Sequence, residues 1–549
     1  RDLSKQGGFI LKKRFIACIL SGAMVLTAAG CTKQETDPNA GTALEYMEKI
    51  NSKNLIHLDG SSRLWYTINP VTFADSNKDG IGELKGIIDQ LDKISDGDEK
   101  TLASDINMNG IYIQNILNKD GSDRVIDYYQ LAQSIGTEED LSNVIQEAKN
   151  RNLAVMIGLD LAAVSKENAV FKQLYDAAQD LPEDQGADSL PAELTNMFNL
   201  TETPEGDSWV PLGNSGLYYL GYKGTDSPAL NQDSDVFRNM ALEVIHHYQN
   251  LGVTGFYLHN AADYFPGEPA KSVDFINWLT DRIHETDPNA IVCVSADPYD
   301  SEMSKIQANL SVPNYSGAEG YITKAVTGTI TAKELGEELK AQQQKTPRPA
   351  AILNSDSETF DLLKKESRLP ELKMAMALHL LMSGQVFISA GDEIGLQKDK
   401  VAVISDAMVV PAEETEQSGG KKTEDKTGES LDLVFGSMAD QNKNGNSLLN
   451  FVRQAVLLRD SFIAASSGSM TVLDDLTTDQ VLAVKKDADG SSVVLVYNLS
   501  NSPVQVDTSS VQILGLPCEL GGVLLTDANE ITFENNILSM PAYSAAVLK

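Results

Sequence analysis

The sequence predicts an α/β chain: a (β/α)8 barrel carrying an inserted segment, followed by a smaller all-β domain. Three observations lead there. The 549 residues are too many for one compact core. From about residue 58 to 465, short apolar runs alternate with longer stretches of helical period. From about Met470 the pattern changes to short alternating strands such as VLAVKK, SVVLVYNLS and AAVLK.

Before the barrel, Lys12, Lys13 and Arg14 precede an apolar run from Phe15 to Ala29 that ends in AAGC at Cys31. A basic stretch, a short apolar core and small residues at the cut are the pattern of a secretory signal, here with a cysteine placed for lipidation. The run is short for a membrane span, which needs roughly 20 residues. Residues 1–10 carry no useful charge or apolar pattern and read as untranslated: Gln6-Gly7-Gly8 is encodable by a purine-rich ribosome-binding sequence, and Leu11 by an alternative start codon. Residues 31–57 are expected to tether the folded part to the outer face of a bacterial cell membrane. Of the four cysteines, only Cys293 and Cys518 then remain in the folded chain, both expected as free buried thiols. The net charge of −34 argues against nucleic acid or an anionic bilayer as partner.

Within the barrel, Leu64–Asn69 reads as the first strand. FADSNKDGIGELKGI follows it, setting Asp75, Asn77, Asp79, the carbonyl of Ile81 and Glu83 at alternating positions around Gly80 and Gly82, oxygen donors suited to a hard cation such as Ca²⁺. Asn109–Ile116 is strand two and Ala154–Leu161 strand three. Between them Thr137 caps a helix with Asp140 three residues on. Residues 164–230 lack a strong period and form the insertion. An amphipathic helix, Asp235–Asn250, stops at Gly252 and leads into the buried strand of GFYLHNAADYF, Gly255–Phe265. Residues 412–430 hold no apolar anchor and read as a mobile acidic loop.

Read together, these segments resemble glycoside hydrolase family 13, the α-amylase superfamily, in its oligo-1,6-glucosidase-like branch. GFYLHNAADYF matches the family's GFRxDA strand with Gly255, Phe256, Leu258 and Ala261 in register. SPALNQDSDVFRNM matches PDLNxxNPEVR, and QVFISAGDEIGL matches the eighth strand. The resemblance implies a TIM barrel with an inserted domain B at about 164–230 and a β-sandwich at 466–549. It also implies that the polar catalytic letters are gone. The family's arginine is Tyr257, its nucleophilic aspartate His259 and its general acid Ala296, while Asp356 is the sole carboxylate kept. In SDRVIDYYQL the sugar-floor Tyr and Asp are Asp123 and Arg124, with Asp127 and Tyr128 kept for folding. In AVMIGLDL and the two residues after it, three of the family's polar positions are Gly158, Ala162 and Ala163. Asp160 faces the same way as Gly158, as a displaced carboxylate or a loop cap.

Retaining glycosidases need two carboxyl groups ~5 Å apart, and neither position is filled. The expected protein is therefore a lipid-anchored amylase relative without turnover that binds α-glucan oligosaccharides through Trp209, Tyr218, Tyr219, Tyr222 and Tyr257. Two alternatives stand beside it: a scaffold for a membrane protein partner, and a hydrolase with rearranged groups, for which His259 with Asp356 is the substitute pair.

Overall fold

The computed structural model describes residues 41–549 apart from 58–59, 99–104, 183–184, 186, 296–300, 313–316, 318, 346–348, 353–359, 398–403 and 406–432. Among these residues eight parallel strands close a barrel in chain order: β1 (Leu64–Ile68), β2 (Gly110–Ile113), β3 (Ala154–Asp160), β4 (Gly255–His259), β5 (Ile291–Val294), β6 (Asn309–Val312), β7 (Pro349–Ile352) and β8 (Gln385–Ser389). β8 pairs back on β1, Trp65 opposite Phe387. Parallel strands covered on both faces must be apolar throughout, which is why β1, β2, β5 and β8 lack the in-out alternation of a half-exposed sheet.

Alternate side chains divide the apolar mass in two. One set points outward into the layer shared with the helices, and the other fills the barrel axis with Trp65, Tyr112, Met156, Tyr257, Cys293 and Phe387. Tyr112 stacks on Tyr257 with ring centres 5.3 Å apart, and Phe387 meets both rings edge-on. Such aromatic filling leaves no room for side chains on neighbouring strands, and a Cβ at Gly110 would lie 2.5 Å from the Trp65 ring.

The insertion between β3 and helix Asp235–Leu251 holds helix Ala169–Gln179 and a three-stranded antiparallel sheet in which Tyr218–Leu220 lies between Leu200–Thr201 and Trp209–Pro211. After helix Leu448–Ser461 the chain builds a five-stranded sheet and a three-stranded antiparallel sheet, the expected all-β region. The capping box of Thr137 and Asp140 is present, and Cys293 and Cys518 are free and buried.

One boundary is corrected. The segment expected to be tether up to residue 57 is folded from Ala43 onward. Ala43, Leu44 and Met47 form one apolar face of helix Ala43–Asn51 and are buried. Asn51 then ties the two domains together: its amide donates to Gln454 Oε1 and to the Val523 carbonyl, both at 2.9 Å, and its Oδ1 accepts from the Val523 amide at 2.8 Å. A short stripe of three apolar residues is too little to hold a helix alone; the seam it packs into stabilises it. The acidic stretch 412–430 lies outside the described residues.

Candidate functional site

The residues at the carboxyl ends of β3 and β4 lie side by side, Gly158 opposite Tyr257 and Asp160 opposite His259. By strand alternation all four positions face the axis at the mouth, where barrel enzymes place their chemistry. Tyr257 occupies the axis and is buried, and its ring lies 4.7 Å from that of His259. His259 Nε2 lies 2.9 Å from Tyr112 Oη. Burial, with Lys119 as a second cause, lowers the imidazole to about 4, so it is neutral and shares a single hydrogen bond with the phenol. Gly158 makes this contact possible: a Cβ there would stand 2.7 Å from His259 Nε2 and 2.8 Å from Tyr112 Oη.

Asp160 pairs with His259 across the two strands, and each of its oxygens is engaged. Oδ1 accepts from the Ala162 amide at 3.0 Å, while Oδ2 accepts from Arg124 Nη1 and Asn260 Nδ2, both at 2.8 Å. Burial pushes its carboxyl above the usual range, opposed by those same donors. Of the two roles open to it, the structure shows the loop cap. Arg124 in turn lies 4.4 Å over the Tyr222 ring, and Tyr222 Oη donates to Asp263 Oδ2 at 2.9 Å, where Lys223 also reaches at 2.7 Å. The inserted domain is thereby fastened to the loops after β2, β3 and β4.

The five aromatic residues expected to hold sugar separate into two groups. Tyr219, Tyr222 and Tyr257 are buried, and their faces are spent inside the protein: Tyr219 packs edge-on against Phe171 at 4.9 Å, Tyr222 lies under Arg124, and Tyr257 stacks on Tyr112. These three are withdrawn as sugar platforms, because a ring already covered has no face to offer. Trp209 and Tyr218 are half-exposed. In the small sheet Trp209 pairs with Leu220 and Pro211 with Tyr218, so all four share one face, opposite the face that buries Tyr219.

In the loop after β1, the oxygens expected to bind a cation are turned largely onto backbone amides. Asp75 accepts from Lys78, Asp79 and Gly80, Asn77 from Asp79, and Asp79 from Ile81. Glu83 is buried; its Oε1 accepts from the Ser76 amide at 2.8 Å, while Oε2 has no hydrogen-bond partner. An orphaned, buried carboxylate oxygen fits a cation's ligand. Among the described residues no three His, Cys, Asp or Glu side chains are arranged around a common metal position. Ala296, Asp356 and Cys31 lie outside the described residues. Tyr112, Asn260 and Asp263 were missed in the sequence; the one available signal was Tyr112 alternating with Gly110 on an inward-facing strand.

Residues 67–305 match the family model for the α-amylase catalytic domain. Among relatives, a glucan 1,6-α-glucosidase of Streptococcus pneumoniae is 29% identical over 35% of this chain, and the match spans only 34% of that enzyme. An oligo-1,6-glucosidase of Heyndrickxia coagulans is likewise 29% identical, over 35% of this chain and 34% of its own. Alpha-amylase 3 of Dictyoglomus thermophilum is 22% identical over 80% of this chain and 84% of its own length. In fold, the chain is similar to Amy13B of Eubacterium rectale, with a TM-score of 0.77 at 24% identity, covering 92% of this chain and 98% of that one.

Proposed function

From the premise of an α-amylase-type catalytic domain with glucosidase and amylase homologues, we propose that this chain is a non-hydrolysing relative that works by binding. One observation carries the proposal: the nucleophile position holds a neutral imidazole bonded to Tyr112, and the neighbouring carboxylate, Asp160, is committed on both oxygens to Ala162, Asn260 and Arg124. Double displacement needs a carboxylate free to attack the anomeric carbon and an acid to protonate the leaving oxygen. General acid–base assistance alone contributes 10²–10⁴-fold, so its loss, together with that of the nucleophile, leaves no useful turnover.

The ligand proposed is an α-glucan oligosaccharide, held outside the filled mouth on the face bearing Trp209 and Tyr218. Aromatic faces suit the apolar faces of pyranose rings, and one relative named above is a glucan 1,6-α-glucosidase by its name. The loop Asp75–Glu83 is proposed to take one structural Ca²⁺ through Asp75, Asn77, Asp79, the Ile81 carbonyl and Glu83; calcium is then expected to raise the Tm, and an unchanged melt with and without chelator removes it. Cys31 is proposed as a lipidated anchor outside the cell membrane, and Cys31→Ser should release the protein from membrane pellets.

The deciding experiment is calorimetric titration of the soluble protein starting at Thr32 with maltooligosaccharides and isomaltooligosaccharides, followed by product analysis. Binding without products, lost in Trp209→Ala, supports the reading. Any products overturn it. Neither binding nor products shifts the assignment to a scaffold for a protein partner.

A further inference from the structure

We infer that the all-β domain carries a docking surface for a basic, amphipathic segment of a protein partner, whether or not the chain also binds sugar. The surface begins at a hairpin, Gln512–Ile513 against Leu516–Pro517, closed by the two-residue turn Leu514-Gly515. Both turn residues have positive φ, 52° and 79°. Such turns take Asn, Asp or Gly at the first position, since a branched side chain is strained there. Here a leucine stands in it. Leu514 and Leu516 are each 66% exposed, while Ile513 between the strands is buried. A strained backbone that holds an apolar side chain in water costs stability on both counts, and such outliers point to a contact made elsewhere.

Gln512, at the base of the hairpin, also lines a groove of about 450 Å³. Val472, Leu473, Leu476 and Val511 supply its apolar part, and Asp474 and Asp475 its charge. Asp474 pairs with Lys340 at 2.5 Å, while Asp475 is exposed and has no ion pair among the described residues. The cation in the wall, Lys485, is engaged by Asp487 at 3.1 Å. Asp507 and Glu519 flank the hairpin, both exposed. An exposed apolar tip beside a groove of mixed lining, both rimmed with carboxylates, complements a helix or strand with leucine-like residues on one stripe and lysine or arginine beside it. The charge of −34 disfavours the other occupants, because a second copy and an anionic bilayer would both be repelled.

The test uses Leu514→Asn, Leu516→Ser and the double variant of the whole chain. The probe is a synthetic amphipathic helix of about 14 leucines and lysines, with a scrambled peptide of the same composition as control, both at near-physiological salt. The expected result is a wild type that prefers the striped peptide by about tenfold, and a double variant that has lost that preference. Leu514→Asn is expected to melt no lower than wild type, because asparagine suits the turn, so it reports on docking even if Leu516→Ser folds poorly. Equal affinity for the two peptides, or a preference untouched by the leucines, overturns the proposal. Leucine-dependent dimers in sedimentation would assign the surface to a second copy, and leucine-dependent flotation with phosphatidylcholine vesicles would assign it to lipid; either also overturns it.

Discussion

Strands β8 and β4 end on the same rim of the barrel, and their exits have been treated in opposite ways. After β8 the chain keeps Asp392 and Glu393, both fully buried. Asp392 meets Lys364 at 3.1 Å and accepts the Ser389 amide, while Glu393 accepts Tyr66 Oη and the Gly391 amide, both at 2.9 Å. At the end of β4 stands His259, opposite Asp160, and Gly158 lies two residues before Asp160 on the neighbouring strand. The carboxyls after β8 end their hydrogen bonds inside the protein, so removing one leaves buried donors and a buried charge unmatched. The residues after β8 are therefore fixed by the fold itself, whatever chemistry the mouth carries.

Substitutions on the two exits test this difference. The largest effect is expected for Lys364→Ala, which strips the buried Asp392 and also Asp361, 2.8 Å away, of their cation; a loss of about 3–5 kcal/mol is expected in denaturant unfolding. Arg124→Ala at the mouth should cost less, about 1–3 kcal/mol, because Asn260 and the Ala162 amide still hold Asp160. If the order is reversed, the mouth is the more integral of the two. Next comes Gly158→Ala, whose methyl enters the space of His259 and Tyr112; a cost of about 1–3 kcal/mol is expected. In a His259→Ala background that cost should shrink, with the Tyr112 contact remaining, and strictly additive values in the double-mutant cycle would refute the steric account.

The smallest effect is in pH dependence. His259 stays neutral in the folded chain down to about 4, against 6.5 for an ordinary histidine. Between those values the unfolded chain binds more protons, so this group's contribution is complete above pH 6.5 and is lost as pH falls toward 4. His259→Gln should therefore lose about 2 kcal/mol less than wild type between pH 6.5 and 4.5. His379, buried and also lowered to about 4, is present in both proteins and serves as the internal reference. Identical pH slopes would show that His259 is open to solvent protons in the native state.

The barrel was legible because strands covered on both faces must be apolar without interruption, and the alternation of such runs with helical periods survives any loss of chemistry. The place of His259 at the mouth was legible from register alone, since Gly255, Phe256 and Leu258 locate position 259. Its surroundings were not. The pairing of Arg124 with Asp160 joins a hairpin to a strand end across 36 residues, a contact that no periodicity encodes. Tyr218 and Tyr219 are chemically the same in sequence, yet a one-residue step in a strand sends one outward and the other into the core. Helix Ala43–Asn51 was read as tether because its apolar stripe is short; only the seam between the two domains shows what that stripe is for.

Gly158 also bears on how the mouth can be altered. The space a side chain would need at that position is held by the imidazole of His259 and the phenol of Tyr112, so none can be introduced there first without collision. Exchanging His259 for aspartate first would leave the Tyr112 hydroxyl to find another partner beside a mouth still filled by Tyr257. Each single substitution meets a neighbour that already fills the space. A carboxylate at position 158 therefore requires several coordinated changes, and Gly158, His259 and Tyr112 behave as one interlocked unit and not as three separable residues.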